Sequence, residues 1–254
     1  IMTTVGAQYL NLADINKLTY PGGSPVQMVI DLCMQQNQVI EDIPWMPCNN
    51  GHQHITTVQT AIPAPTWIGI YDFVGVGKAA WADYTDTTGM MEAWSEVSER
   101  LLQLNLRAAP KALELTNAAF FEGMTQEYVK NIFYGDSRTN PKAFDGLAPR
   151  FASLSAGYSD RVIDHGGTTA LTSMWFVTWG EPFCHGIYPD GTNAGITSQD
   201  LGIETKTDPV TGGNMRVSRQ KYNWRGGLSV RDPRAIVRIA NIDTTASLTA
   251  GQAS

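Results

Sequence analysis

Residues 110–135 read PKALELTNAAFFEGMTQEYVKNIFYG and are the most informative segment for the fold. Proline is favoured in the first turn of a helix and glycine directly after its end, so Pro110 and Gly135 predict the two boundaries. Apolar residues recur between them at helical spacing and predict one buried face: Leu113, Phe120, Met124, Tyr128 and Ile132. A helix of roughly 25 residues would span about 37 Å. We expect this spine helix to support a sheet that packs on it.

An extended hairpin precedes the spine helix, at residues 51–88. Residues 55–60 (ITTVQT) are rich in β-branched side chains and predict the first strand, and a glycine-rich run at 69–77 precedes a second extended segment near 79–84. The hairpin carries seven large apolar side chains: Ile62, Trp67, Ile70, Tyr71, Phe73, Val74 and Trp81. A lone two-stranded hairpin is marginally stable in water, so these side chains need a surface, either on their own domain or on a neighbour.

Residues 1–50 predict an irregular arm followed by an amphipathic helix. Ser24 and Pro25 suit its first positions, and apolar residues then recur at helical spacing as far as Pro44. Residues 89–97 (GMMEAWSEV) fit either a strand or a helix. Beyond the spine helix, four extended segments are separated by turn residues, at 173–179, 185–188, 216–224 and 235–242. One long helix with mostly antiparallel strands predicts an α+β fold.

The charge pattern argues against nucleic-acid recognition, because the 254 residues carry a net charge of -6. Seven bases nevertheless fall in one short stretch that is opposed, locally, only by Asp232. They are Arg216, Arg219, Lys221, Arg225, Arg231, Arg234 and Arg238. The stretch is either a solvated strand face or a contact surface for an acidic neighbouring subunit. For the second case the candidates are Arg216, Arg219, Lys221, Arg234 and Arg238.

The motifs that could carry chemistry are incomplete. Residues 75–78 (GVGK) resemble a phosphate-binding loop, but Asp72 and Ala79 stand where that motif needs glycine and a hydroxyl, so turn glycines with positive φ explain the run better. The remaining candidates are Cys48, His52 and His54 with Cys184 and His185 for a metal, Asp160, Asp164 and His165 for hydrolysis, and Trp175 with Trp179 for sugar stacking. None has the spacing its chemistry requires. We expect no catalytic residue, no cofactor, no metal and no membrane span.

The order of parts resembles that of the major capsid proteins of tailed bacteriophages, which share the Hong Kong 97-type fold. Local motifs with the same order along the chain carry the resemblance: residues 39–45 (VIEDIPW), 92–97 (EAWSEV), 133–137 (FYGDS), 144–147 (FDGL), 179–180 with 185–189 (WG and HGIYP), 227–232 (GLSVRD) and 238–243 (RIANID). They span nearly the whole chain.

The resemblance implies a division into named parts. Residues 1–50 would be the N-terminal arm and residues 51–88 the extended loop, or E-loop. The peripheral domain would comprise 89–143, with the spine helix at 110–134, and 205–243. The axial domain would comprise 144–204, and residues 244–254 would be a tail or the start of a further region, since members of this branch usually continue beyond the RIANID segment.

By the same resemblance, the chain is a non-enzymatic subunit that assembles with itself into hexamers and pentamers of an icosahedral virion head. The shell would enclose double-stranded DNA without recognising its sequence, and portal, scaffolding and decoration proteins would be further partners. Two alternative functions remain open from the sequence. One is a β-rich carbohydrate-binding or hydrolytic enzyme, and the other is the shell of a cellular nanocompartment with the same fold.

Overall fold

The structure is a computed structural model, and it describes residues 37–103, 109–155, 157–207 and 212–244. Most of the predicted N-terminal arm, including Ser24 and Pro25, lies outside these residues. The chain divides into two compact units. Met90–Lys130 and Gly195–Arg225 belong to the first, here the spine unit, while Val39–Gly89, Asn131–Ala194 and the residues from Gly226 onward belong to the second, here the hairpin unit.

The fold is α+β, as predicted. Its helices are α1 (Val39–Asp42), α2 (Glu99–Gln103), α3 (Ala109–Tyr134) and α4 (Leu147–Arg150). Its strands are β1 (Trp45–Pro47), β2 (Gln53–Ala61), β3 (Ala80–Thr87), β4 (Gly89–Ser98), β5 (Val162–Asp164), β6 (Leu171–Val177), β7 (Cys184–Tyr188), β8 (Ile196–Thr207), β9 (Asn214–Val230) and β10 (Ile236–Asp243).

In the spine unit, α3 packs on aromatic residues of β9. Phe120 stacks on Tyr222 with ring centroids 5.6 Å apart, and Tyr128 stacks nearly parallel on Trp224 at 4.1 Å. Met124, Tyr128, Tyr222 and Trp224 are all buried. The predicted apolar face of the spine helix is therefore confirmed over its described part, where burial of large aromatic side chains supplies most of the packing energy.

The same unit contains a long antiparallel ribbon made of β8 and β9. Its register runs from Ile196 opposite Trp224 to Thr207 opposite Asn214, with an irregularity between Asp200 and Gly202. The sequence did not predict β8, because most of its side chains are exposed and no apolar alternation marks the strand. Residues 89–97, which the sequence left open between strand and helix, lie in β4.

The hairpin unit contains two further groups of strands around a buried core. β7 pairs in parallel with β1 and antiparallel with the last residues of β9, while β10 lies between β5 and β6. The buried core side chains of this unit include Ile132, Phe144, Leu147, Phe151, Ile187, Leu228 and Ile236. The helices and strands around this core position the base of the hairpin.

The predicted hairpin is confirmed as an antiparallel pair of β2 and β3. The pairing runs from Gln53 opposite Thr87 to Ala61 opposite Ala80. Within the described residues these two strands form a sheet of their own. The hairpin therefore has no strand neighbour in this part of the chain to cover its surface.

The end of the spine helix falls where the sequence predicted it, but for another physical reason. The helix ends at Tyr134, and the Gly135 amide donates to the carbonyl oxygen of Asn131 at 2.8 Å. Gly135 does not adopt the left-handed conformation usual at a helix end. A Cβ there would lie 2.5 Å from the Asn131 oxygen and 2.6 Å from that of Phe144, so close backbone approach requires the glycine.

Candidate assembly surface

The tip of the hairpin presents apolar side chains to solvent. Residues 62–79 connect β2 to β3, and Asp72 closes a turn within them by accepting from the Gly69 amide at 2.7 Å. Trp67 and Phe73 are fully exposed, and even the least exposed of the seven predicted contact residues, Val74, exposes 56% of its surface. Soluble monomers rarely expose large contiguous apolar patches, so this surface has the character of an interaction site.

The glycine-rich run does not form a phosphate-binding loop. Lys78 leads into β3, whereas a phosphate-binding loop leads into a helix N-terminus. The sequence-based expectation that these glycines supply positive φ angles is wrong for Gly75 and Gly77. At Gly77 a Cβ would lie 2.8 Å from the Cβ of Pro63, so this glycine instead permits close approach of the two sides of the tip.

An ion pair between a buried carboxylate and a half-buried arginine anchors the base of the hairpin. Asp86 of β3 is only 5% exposed, and its Oδ1 lies 2.7 Å from Nη2 of Arg150 in α4. Arg150 also donates to the carbonyl oxygens of Gly146, at 3.2 Å, and Leu228, at 3.4 Å. A buried charge is tolerated when it is paired and hydrogen-bonded, so this contact links the hairpin to the core of its unit.

Two buried histidines lie beside this ion pair. The rings of His54 (β2) and His185 (β7) meet edge to face with centroids 5.5 Å apart, and Nη2 of Arg231 lies 3.1 Å from Nε2 of His54. The guanidinium can only donate, so Nε2 of His54 accepts. Burial, followed by the nearby Arg231, lowers the pKa of both histidines, that of His185 to about 4.

The sequence grouped these histidines only as part of an incomplete metal motif. Among the residues that the structure describes, no group of three or more metal-binding side chains could hold an ion. His52 is exposed, and burial raises the pKa of the Cys48 thiol to about 11 and that of Cys184 to about 12. No local signal could reveal the pairing of His54 with His185, because it depends on how β2 and β7 pack.

Three basic residues of β9, Arg216, Arg219 and Lys221, find acidic partners within their own unit. Arg219 donates to Glu96, with its shortest contact at 2.6 Å, and to Glu204 at 2.6 Å, while Lys206 contacts the second oxygen of Glu96 at 2.7 Å. We call these residues, together with the pairs Lys221–Glu92 at 2.7 Å and Arg216–Glu99 at 3.2 Å, the charge ladder. Burial raises the pKa of Glu96, but the hydrogen bonds from Lys206 and Arg219 outweigh it and leave that pKa lowered.

Arg234 and Arg238 lie in different surroundings. The side chain of Arg234 is 76% exposed and pairs with Asp232, two residues away, at 2.8 Å. Arg238 donates to the carbonyl oxygen of Phe151 at 2.9 Å and to Ser173 Oγ at 3.0 Å, and its guanidinium lies 5.1 Å from the centre of the Trp175 ring. Arg238 is thus built into the hairpin unit, while Arg234 projects into solvent.

The acidic residues that the sequence offered as candidates for hydrolysis make contacts with neighbouring residues. Oδ1 of Asp164 accepts from Asn241 at 2.8 Å and from the Gly166 amide at 3.0 Å, and Asp160 pairs with Arg161. These contacts are with neighbouring structural residues.

Trp175 and Trp179, the candidates for sugar stacking, do not lie on one strand, because β6 ends at Val177 and Trp179 lies beyond it. Trp175 packs instead against Phe133 and Phe151 in the core of its unit.

Comparison with known proteins identifies the family. A sequence profile described as Major capsid protein GP7 matches residues 21–254. A chain in the cryo-EM structure of bacteriophage Epsilon15 is similar, with 31% identity and a TM-score of 0.73, over 96% of this chain and 73% of that one. No curated protein matches.

Two more distant structures share the fold alone. A chain from Mycobacterium phage Adephagia matches with a TM-score of 0.58 and 11% identity over 94% of this chain and 99% of that one. A chain of the SrpI encapsulin complex from Synechococcus elongatus matches with a TM-score of 0.56 and 12% identity over 94% of this chain and 98% of that one. No described helix is long and apolar enough to cross a membrane.

The family match covers more than nine-tenths of the sequence, and the Epsilon15 chain shares both its fold and almost a third of its aligned residues. This chain therefore belongs to the GP7 family of bacteriophage major capsid proteins, has the Hong Kong 97-type fold, and is a subunit of the capsid shell of the virion.

Proposed function

We propose that the hairpin makes the contact that joins neighbouring copies of this subunit in the shell. The observation that carries the proposal is the exposure of its apolar side chains, six in the tip and one, Trp81, at the start of β3: Ile62, Trp67, Ile70, Tyr71, Phe73, Val74 and Trp81. Removing a large apolar side chain from water contributes about 1.5–3 kcal/mol. Several such residues can therefore offset the entropy lost when two subunits associate.

The geometry of a shell suits a contact of this kind. A contact between two different surface patches, repeated from copy to copy, closes into a ring when the rotation allows it. An arm that reaches from one subunit and lies on the next supplies such a contact. On this basis copies would associate into hexamers and pentamers, with each hairpin lying across an adjacent subunit.

The proposed domain division follows the family resemblance. Residues 89–143 and 205–243 would form the peripheral domain, residues 144–204 the axial domain, and residues 1–50 the N-terminal arm. The two compact units divide the chain elsewhere, at Arg225 for instance, because they reflect contacts within one chain and not a position in the shell.

Among the five basic candidates, Arg216 and Arg234 are the best placed to meet an acidic neighbour. Their side chains are 60% and 76% exposed, and each has one ion-pair partner among the described residues. Arg219, Lys221 and Arg238 have their donors engaged within their own unit, so we propose that they act mainly in stabilising the subunit. An exposed ion pair with a neighbouring subunit would affect the specificity and the rate of association more than the affinity.

The other proposed partners follow from the shell function. Double-stranded DNA would be enclosed without specific recognition, in keeping with a net charge of -6. Portal, scaffolding and decoration proteins would be further partners. The role would be structural, with no catalytic residue.

Deletion of the hairpin tip tests the proposal. Replacing residues 63–78 with a short Gly-Ser turn should leave a soluble subunit that forms no shells under conditions in which the unaltered chain does, as judged by negative-stain electron microscopy. Closed particles of normal size from the deleted chain would show that the tip is not the joining contact.

Two matched substitutions sharpen this experiment. Phe73→Ala removes a fully exposed ring from the tip, while Phe176→Ala removes a ring that is 55% exposed on β6, outside the hairpin. We expect the first to lower shell yield more than the second. Equal effects would mean that general loss of apolar surface, and not the hairpin contact, limits assembly.

A further inference from the structure

Buried polar groups lie at the base of the hairpin, away from its exposed tip. His54 and His185 are 3% and 0% exposed. In the described structure, Nδ1 of His54 and both ring nitrogens of His185 have no hydrogen-bond partner, and neither has Ser229 Oγ on the strand that pairs with His185. Buried polar atoms are usually satisfied, so this cluster is held in place by the surrounding structure at an energetic cost.

The charges around the two rings disfavour protonation of either histidine. The charged and titratable groups nearby come from several elements and loops: Asp86, Arg150, Arg231, Cys48, Cys184, Asp190 and Glu181. Asp86 already pairs with Arg150 at 2.7 Å, and the nearest carboxylate oxygen to Arg231 is that of the exposed Glu181, at 4.0 Å. Asp86 favours a protonated histidine and raises the pKa of both rings, but burial and the charge of Arg231 outweigh its effect.

The cluster also sits where the hairpin joins its unit. His54 lies on β2 opposite Asp86 on β3, and these two residues contact Arg231 and Arg150, which belong to the core side of the unit. Separating the hairpin base from β7 would expose His54 to water and uncover one side of His185. A change in the charge of the two rings would therefore act directly on the attachment of the hairpin.

We propose that His54 and His185 form an acid-sensitive latch, which holds the base of the hairpin while both rings are neutral and loosens it when they take up protons. This inference concerns the attachment of the hairpin within one subunit, so it does not depend on what the tip contacts. In a shell, the latch would make the angle of the arm respond to acid.

The direction of the pH dependence follows from the lowered pKa values. Because the closed state binds these protons more weakly than the open one, the latch is fully closed above the ordinary histidine pKa and weakens as pH falls towards the lowered value. His185 has a pKa lowered from 6.5 to about 4. If opening restores the ordinary value, this residue alone raises the opening equilibrium about 20-fold between pH 7 and pH 5.

Hydrogen–deuterium exchange of the purified full chain tests the latch. After correction for the intrinsic rate, amides of residues 53–56 and 84–87 should lose protection about 20-fold or more between pH 7 and pH 5. Amides of β10, in the same unit, should change little. Unchanged protection at the hairpin base over this range would overturn the proposal.

Matched variants assign the effect to the cluster. His185→Leu removes the titrating ring at similar volume and should abolish most of the change, while His52→Gln, at an exposed histidine two residues from His54, should behave like the unaltered chain. If His185→Leu lost protection as much as the unaltered chain does, the latch would be refuted. Should that variant fail to fold, deuterium uptake at the histidine C2 atoms of the unaltered chain reports the two pKa values directly, and values at or above 6.5 would refute it equally.

Discussion

Glu96 shows at the scale of one residue how the charge ladder is held together. Its two carboxylate oxygens are shared between Lys206 and Arg219, and its side chain is only 12% exposed. Hydrogen bonds to charged groups that are sheltered from water contribute more than exposed ion pairs, which are worth about 0–1 kcal/mol at most. Glu96 is therefore the residue at which removing one charge should have the largest effect on the ladder.

We expect Glu96→Gln to lower the free energy of unfolding by about 1–3 kcal/mol at pH 7, measured by urea denaturation. The pKa of Glu96 is lowered in the folded chain, so its contribution is complete above the ordinary glutamate pKa and is lost as pH falls through the lowered value. The difference between the variant and the unaltered chain should accordingly shrink in acid.

Glu127→Gln is the matched control for this substitution. Glu127 is 59% exposed, and its one ion-pair partner among the described residues is Lys130, one turn along α3, at 3.2 Å. Its loss should cost about 0.5 kcal/mol or less. Equal destabilisation by the two substitutions would show that the ladder adds nothing beyond an ordinary surface pair.

At the scale of the element, the hairpin depends on the ion pair at its base. A two-stranded hairpin has little stability of its own, and Asp86 with Arg150 provides one of its anchored contacts with the core. Breaking a buried pair by removing one partner is strongly destabilising, because the remaining charge is buried without compensation.

Arg150→Met should therefore lower the free energy of unfolding by about 3–5 kcal/mol. Adding Asp86→Asn to the same chain should recover part of that loss, since no uncompensated carboxylate remains. Thermal or urea unfolding of the single and double variants measures the recovery. A double variant that is as unstable as the sum of the two single variants would mean that the two side chains act independently.

At the scale of the whole molecule, the hairpin tip should differ in exposure to solvent between the free subunit and the shell. Lys78 lies in the exposed connection between β2 and β3, which has no regular structure before Ala80. Exposed connections of this kind are the preferred sites of proteolytic cleavage. If the tip lies on a neighbour in the shell, assembly should hide this site.

Limited trypsin digestion should thus cut the free subunit after Lys78 and leave assembled shells uncut there. Mass spectrometry identifies the fragments 1–78 and 79–254, and Lys78→Gln should remove both. Cleavage at equal rates in free subunits and in shells would show that the tip stays in solvent after assembly.

The sequence alone determined the elements that depend on local pattern. The spine helix from Ala109 to Tyr134 and the pairing of β2 with β3 follow from periodicity and from boundary residues, which act over a few residues of chain. The exposure of apolar side chains at the tip could also be predicted, because Trp67 and Phe73 lie in a hairpin too small to bury them. The order of the motifs along the chain indicated the family, because that order can be read without knowing which distant residues are in contact.

Only the tertiary structure decided which charges meet. Arg219 finds Glu96 at a separation of 123 residues, and His54 meets His185 on a strand that no local pattern connects to it. The basic stretch appeared in sequence to lack acidic partners other than Asp232, yet β4 and α2 supply Glu92, Glu96 and Glu99. Strand order and register set these pairings, and periodicity, which reports only which side of an element is apolar, carries no information about them.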